Sequence, residues 1–281
     1  MKEAEQWVGW QTEERDGKLT KVPINPSTGR YAKANDTSTW SDFPTALDYY
    51  GSTSEVKGIG FMFHEDGLYA GVDLDDCRDP GTGEVAEWAK EIIDRLDSYT
   101  ERSPSGTGYH VIVYGFVPDG GNRNDGVEMY DSNRYFTVTG DHLSNSPHTV
   151  EKRAKRLRNI HREYVAEEGH GSHTSTGPSD TAVDIPDQKL IQKAKNAANG
   201  DKFRALWDGD TSGYRSHSEA DQALCNILAF WTGGDPQRIE QLFSQSGLAR
   251  EKWWERPTYR ERTIRNAIRS CDEFYEPPEN E

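Results

Sequence analysis

Two aspartates one residue apart, Asp73 and Asp75, stand in the run Tyr69-Ala70-Gly71-Val72-Asp73-Leu74-Asp75-Asp76. In an extended chain alternate residues share a face, so Val72 and Leu74 face one way and the two carboxylates the other. Carboxylates at this spacing can chelate one divalent cation or two adjacent ones. The alternative is a strand end entering an acidic turn, because Asp75-Asp76-Cys77-Arg78-Asp79-Pro80-Gly81 is turn chemistry. Two further stretches bear on the choice. In Ser103-Pro104-Ser105-Gly106-Thr107-Gly108-Tyr109-His110 the backbone N–H groups of Ser105, Gly106, Thr107 and Gly108 can cradle phosphate. This loop leads into Val111-Ile112-Val113-Tyr114, with His110 as the first residue of a predicted strand. In Gly126-Val127-Glu128-Met129-Tyr130, the carboxylate of Glu128 leaves the apolar side. Three hard carboxylates, a phosphate-holding loop and a histidine suit metal-assisted phosphoryl or nucleotidyl transfer. Two ions would align an α-phosphate with an attacking 3′-hydroxyl, and His110 would stabilise phosphate charge rather than act as a general base. Arg134 can pair with triphosphate oxygens, or be an ordinary surface arginine. Lys21 and Arg123 are weaker candidates of the same kind.

The elements that must position these residues read as strands and helices together. Residues 6–11 and 19–24 form a hairpin, and the turn between them contains Asp16-Gly17. A helix runs from Phe43-Pro44 to Gly51. A strand at 58–63 is expected to enter the aspartate strand through a hairpin turn at Glu65-Asp66-Gly67. Residues 84–96 carry Val85, Trp88, Ala89, Ile92, Ile93 and Leu96 at helical spacing. Strands at 126–130 and 134–140 are expected to pair as an antiparallel hairpin. Residues 151–165 read as one helix holding Lys152, Arg153, Lys155, Arg156, Arg158 and Arg162, which is either a DNA-binding stripe or a solvated face. From 167 the chain turns to Gly, Ser, Thr, His and Pro, a flexible linker. His170 and His173 within it read as solvated. Beyond it the pattern is all-helical, with an N-cap expected at Ser218. Arg250, Lys252 and Trp253 mix basic and aromatic side chains that could grip phosphates and stack on bases; burial of tryptophan in the helical core is the competing reading. The domains are therefore expected at 1–166, 167–187 and 188–281. The fold class is α+β, with a mixed or antiparallel sheet and flanking helices, followed by an all-α helix bundle with a frayed tail.

Composition narrows the field. Of 281 residues 33% are hydrophobic, and no run is long enough for a membrane span or a signal-peptide core. Cys77, Cys225 and Cys271 form no CxxC pair, which argues against a disulfide framework or a structural zinc site. A soluble, cytoplasmic protein is expected. The net charge of −15 is the wrong sign for a simple nucleic-acid binder. In molar salt, however, the Debye length falls to about 3 Å and a negative surface no longer repels DNA at range. With a mean hydropathy of −0.92, the acidity points to a salty cytoplasm, that of a halophilic archaeon or its virus.

The order GVDLDD, SPSGTGYHVIV, VEMYDSNRYFTVTG resembles the three motifs of the archaeo-eukaryotic primase superfamily, and most resembles primase–polymerases of phages and archaeal mobile elements. The opening WVGWQ…KLTKVPINPSTGR is similar to the start of such proteins. The segment from SHSEADQALCNILAFW to KWWERPTY is similar to the helix-bundle domain that often follows. The resemblance implies metal-binding acids at Asp73, Asp75 and Glu128, and nucleotide contacts at Ser105 and His110. It implies primer synthesis on single-stranded DNA from NTP or dNTP substrates with Mg²⁺ or Mn²⁺. The chain departs from some relatives in having neither a zinc-binding cysteine cluster nor a GxxxxGK[ST] phosphate loop, so unwinding would fall to a separate helicase or to polypeptide beyond this sequence. The rival readings are a metal-dependent nuclease and a non-catalytic replication-initiation module.

Overall fold

In the computed structural model, residues 1–15, 17–65, 67–166, 185–271, 273–275 and 277 are described. The chain forms two compact units, Met1–Arg153 with Ile160–Glu167, and Ala154–Asn159 with Glu168–Glu281. The expected linker and its two histidines lie almost wholly outside the described residues, as do Asp16, Asp66 and most of the tail.

The first unit contains β1 (Trp7–Arg15), β2 (Lys18–Ile24), α1 (Phe43–Ser52), β3 (Gly58–Phe63), β4 (Tyr69–Leu74), α2 (Glu87–Leu96), β5 (Thr100–Arg102), β6 (Tyr109–Tyr114), β7 (Arg123–Asn124), β8 (Val127–Tyr130), β9 (Arg134–Val138) and β10 (Glu151–Lys152). Two sheets result. One has the order β2-β1-β3-β9; the other runs β10-β6-β4-β8-β7, with β5 also on β6. All strand pairs are antiparallel except β10 with β6. The class is α+β. Phe61 and Phe63 of β3, Phe136 of β9 and Ile112 of β6 share one buried cluster with Trp7, so the two sheets share a core.

Two hairpins expected from the sequence do not form. β3 and β4 lie in different sheets, although only five residues separate them. β3 is the nearly continuous apolar run Gly-Ile-Gly-Phe-Met-Phe, and both its edges are taken, by β1 and β9. A strand buried on all sides reads this way, whereas a half-exposed hairpin strand would alternate. Likewise β8 pairs with β4 and β7, while β9 crosses to β3. The true hairpin is β7–β8, closed by Asp125 (φ 38°) and Gly126 (φ 88°). Asp-Gly with both φ angles positive is the two-residue turn whose twist suits a hairpin.

The helix expected over 151–165 is also divided. Residues 151–152 become β10, α3 (Ala154–Ile160) follows, and His161–Val165 forms a π-helical turn. The basic residues are put to local use. Arg153 donates to the carbonyls of Leu96 and Asp97 and to the Asp97 carboxylate, closing the C-terminus of α2. Lys152 is exposed, while Lys155 and Arg156 are half-buried, so the run is not a uniform solvent-facing stripe.

The second unit holds α4 (Asp187–Asn196), α5 (Gly200–Trp207), α6 (His217–Trp231), α7 (Pro236–Phe243), α8 (Glu251–Glu255) and α9 (Pro257–Arg269). α6 is the central element: Leu224, Cys225, Ile227, Leu228 and Trp231 are buried, and α5, α7 and α9 pack around it. Its N-cap is Ser216 rather than Ser218; the Ser216 hydroxyl accepts the Glu219 N–H at 3.2 Å, and Glu219 accepts the Arg215 N–H at 2.8 Å. The acidic residue one turn in, Asp221, is therefore interior. It accepts from Arg250 at 2.6 Å and from the Tyr259 hydroxyl at 2.6 Å. Lys252 donates to Ser218 at 2.9 Å and sits 3.6 Å over the Tyr259 ring. Trp253 is 1% exposed and stacks on Phe243 at 3.8 Å, so it has no face open to a base. The expectation that Trp253 stacks on DNA is corrected: its ring fills the core of this unit. Trp254, 53% exposed, faces solvent instead.

Candidate active site

Register brings the chemistry together. On β4, Asp73 is paired with His110 of β6 on one side and with Glu128 of β8 on the other. Residues paired across a sheet share its face, so the three side chains form one row. Val72 and Leu74 alternate with Asp73 and are fully buried on the opposite face. Asp75 lies one residue past the strand end, where its N–H donates to the Gly126 carbonyl at 2.8 Å. This bond keeps the second carboxylate beside β8 while leaving it exposed. Asp76 adopts φ 48° and turns the chain away.

The row is electrostatically strained. Burial lifts the Asp73 carboxyl to a pKa of about 6; the charges of Asp75 and Glu128 also raise it, and His110 and Lys21 oppose them. Partial loss of solvent around its carboxyl likewise raises Asp75, exposed though the residue is, and the charges of Glu128 and Asp76 add to it. Asp73 Oδ1 is buried and has no hydrogen-bond partner among the described residues; His110 Nε2 lies 3.6 Å from it. Glu128 is better supplied: its Oε2 accepts from the Tyr130 hydroxyl at 2.9 Å and from Arg134 at 3.3 Å, and Arg123 lies 3.8 Å from Oε1. The Arg134 guanidinium also sits 4.7 Å over the Tyr130 ring.

Three oxygen donors with an excess of negative charge and one orphaned buried oxygen fit a hard divalent cation in their chemistry. Among the described residues, no three His, Cys, Asp or Glu side chains are already gathered around one metal position. On this sheet face the Glu128 carboxylate is turned to Tyr130 and Arg134.

The loop before β6 closes on itself more than its glycines imply. The Gly106 N–H donates to Ser103 O at 2.9 Å and the Thr107 N–H to Ser105 Oγ at 3.3 Å, so these two amides of the expected phosphate cradle are engaged internally. The hydroxyls of Ser103, Ser105 and Thr107 form a chain with 3.0 and 2.9 Å contacts. Arg78, unmarked by any local pattern, fastens this loop to the turn after β4: its backbone N–H donates to Thr107 O and its Nη1 to Gly106 O, both at 2.8 Å. Gly108 is required by close approach, since a Cβ there would stand 2.3 Å from the Leu74 carbonyl oxygen. Gly108→Ala must push the loop away from the strand end that carries both aspartates. The expected result is a loss of about 1–3 kcal/mol in stability, read by denaturant unfolding.

An α+β protein with a carboxylate row across an antiparallel sheet, next to a hydroxyl-lined turn and a histidine, has the parts of a phosphate-transfer site. Comparison with known sequences finds two likenesses. Residues 217–277 match the NrS-1 polymerase HBD domain. The chain is 34% identical over 287 aligned residues to the DNA primase-polymerase of Nitratiruptor phage NrS-1, an alignment covering 97% of this chain. Both matches are to phage-type primase-polymerases. It spans 37% of the length of that relative.

Proposed function

We propose that this chain is a DNA-templated nucleotidyltransferase, a primase-polymerase that extends or begins primers on single-stranded DNA. The observation that carries this reading is Asp73 paired on one side with His110 and on the other with Glu128, with Asp75 one step beyond. In the reaction, a primer 3′-oxygen bonds to the α-phosphorus of a nucleoside triphosphate as the bond to pyrophosphate breaks. Asp73, Asp75 and Glu128 would hold Mg²⁺ or Mn²⁺, which when bound would lower the hydroxyl pKa and neutralise charge on the triphosphate. Ser105, Gly108 and His110 bind the triphosphate, and the Gly106 amide, held by Ser103 O, does so only if the loop opens. Arg134 exchanges its Glu128 partner for a phosphate oxygen, which frees Glu128 to turn inward.

The helical unit, read as the helix-bundle domain of such enzymes, holds template through its exposed basic residues rather than through Trp253. Unwinding falls to a helicase, either a separate protein or further polypeptide. The acidic surface suits a salty cytoplasm of a halophilic archaeal or viral system, where DNA approach is least opposed.

The test is synthesis on single-stranded DNA with labelled NTPs or dNTPs and Mg²⁺ or Mn²⁺, at low and molar KCl, beside a chain carrying both Asp73→Ala and Asp75→Ala. Product from the wild type alone supports the reading, and its sugar gives the substrate class. Degraded template would mean a nuclease; DNA binding with no product under any condition would mean a non-catalytic module.

A further inference from the structure

Glu101 lies outside every motif discussed so far, yet it is 1% exposed. On β5 it is paired with His110 of β6. Its Oε1 accepts the Thr139 N–H at 2.9 Å, and its Oε2 accepts the Gly140 N–H at 3.0 Å and the Tyr99 hydroxyl at 2.9 Å. Three fixed donors thus lock the carboxyl in place. Oε1 also lies 3.6 Å from Nδ1 of His110, whose Nε2 lies 3.6 Å from Asp73 Oδ1. The imidazole therefore bridges two acids, with the Phe136 ring against it at 5.0 Å between centroids. A tether between β5 and the turn at 139–140 needs only the backbone donors and Tyr99. It does not need an oxygen turned toward an imidazole nitrogen that has no other hydrogen-bond partner among the described residues.

We propose that Glu101 is a positioning residue that takes the Nδ1–H of His110, fixing the tautomer and rotation of the ring so that Nε2 stays in the row with Asp73 and Glu128. A neutral imidazole carries one N–H, and the partner of one nitrogen decides the state of the other. A buried carboxylate behind a working histidine performs this service in hydrolases and at metal centres. The 3.6 Å separation is long for a hydrogen bond; such contacts tighten when the site fills. With Nδ1–H committed to Glu101, Nε2 is the nitrogen turned to the row, where it donates to a phosphate oxygen only when it carries a proton as well. That last step rests on the nucleotidyl-transfer reading; the Glu101–His110 pairing does not.

Two measurements on the full chain test it. The first is a long-range ¹H–¹⁵N spectrum of the histidine-labelled protein, with His110 assigned by the signals lost in His110→Gln. A proton on Nδ1 is expected; an unprotonated Nδ1 overturns the proposal, and this arm needs no Glu101 variant to fold. The second is a cycle of Glu101→Gln, His110→Gln and the double variant, reading KM for the triphosphate and kcat separately. Glu101→Gln is expected to raise KM about tenfold. In the His110→Gln background the same change is expected to add less than about twofold, because the two act as one unit. An equal factor in both backgrounds, or no effect in the wild-type background, overturns the proposal. If the wild type neither makes product nor binds nucleotide, the nucleotidyl-transfer reading fails, and the histidine spectrum still decides the pairing.

Discussion

Asp73→Asn is expected to abolish nucleotide incorporation and, in the metal-free protein, to raise the melting temperature. The two effects have one cause. Asp73 stands half-buried beside Asp75 and Glu128, and folding lifts its carboxyl from the ordinary value near 3.8 to about 6. Between those pH values the folded chain holds a proton that the unfolded chain releases, so stability falls as pH rises through the window. Above pH 6 the ionised carboxylate is a full cost, on the order of 3 kcal/mol from the size of the displacement. Asparagine keeps the shape and removes the charge. Its advantage should be close to zero near pH 4, grow to pH 6 and stay level above it, reaching about 1–3 kcal/mol or several degrees in Tm. Activity should fall at least about a thousandfold, because a metal-holding charge is worth several kcal/mol in the transition state. Millimolar Mn²⁺ should raise the Tm of the wild type and do so much less in the variant. A variant that is less stable than wild type at pH 7, or one that still incorporates nucleotide, would sink the assignment of Asp73 as the centre of the site.

Trp253→Ala tests the other unit. The indole is enclosed, stacked on Phe243, and its Nε1 donates to Ser244 Oγ at 3.2 Å. Truncating a buried tryptophan costs about 3–5 kcal/mol through lost burial and the cavity left behind. Trp254→Ala, on the exposed neighbour, should change stability by less than about 0.5 kcal/mol. Unfolding in urea, followed by fluorescence, separates the two. If Trp253→Ala left stability unchanged while weakening DNA binding, the packing role given to it here would be wrong.

The parts of this molecule that could be read in its sequence are those set by short-range periodicity. The alternation of Val72, Asp73 and Leu74 gives both the strand and its wet face, and the single opposed acid at Glu128 follows from the same rule. The β1–β2 hairpin and the helices of the second unit were legible for similar reasons. What was not legible depends on partners far apart in the chain. Nothing local to Glu65-Asp66-Gly67 reveals that β3 and β4 belong to different sheets; the all-apolar run of β3 was the available signal. Glu101 and Arg78 look like ordinary surface charges until β5 meets β6 and the loop at Gly106 folds onto the turn after β4. Trp253 and Trp254 are identical in type and adjacent, so only helix phase against Phe243 distinguishes them. The Asp125-Gly126 turn is a fair local hairpin signal that the glycine-rich surroundings concealed.

The pairing of Asp73 with both His110 and Glu128 has a consequence for how this gene can change. Because side chains alternate along β4, losing or gaining one residue there would carry the aspartates into the core and bring Val72 or Leu74 out to the wet face. A point substitution in this stretch changes one side chain, but a frame-preserving insertion or deletion of a single codon alters the charge and the packing of the whole strand together. Length changes are therefore expected in the connections, such as residues 118–122 and 143–148, and the spacing from Gly71 to Asp75 is fixed by the sheet as firmly as by the chemistry.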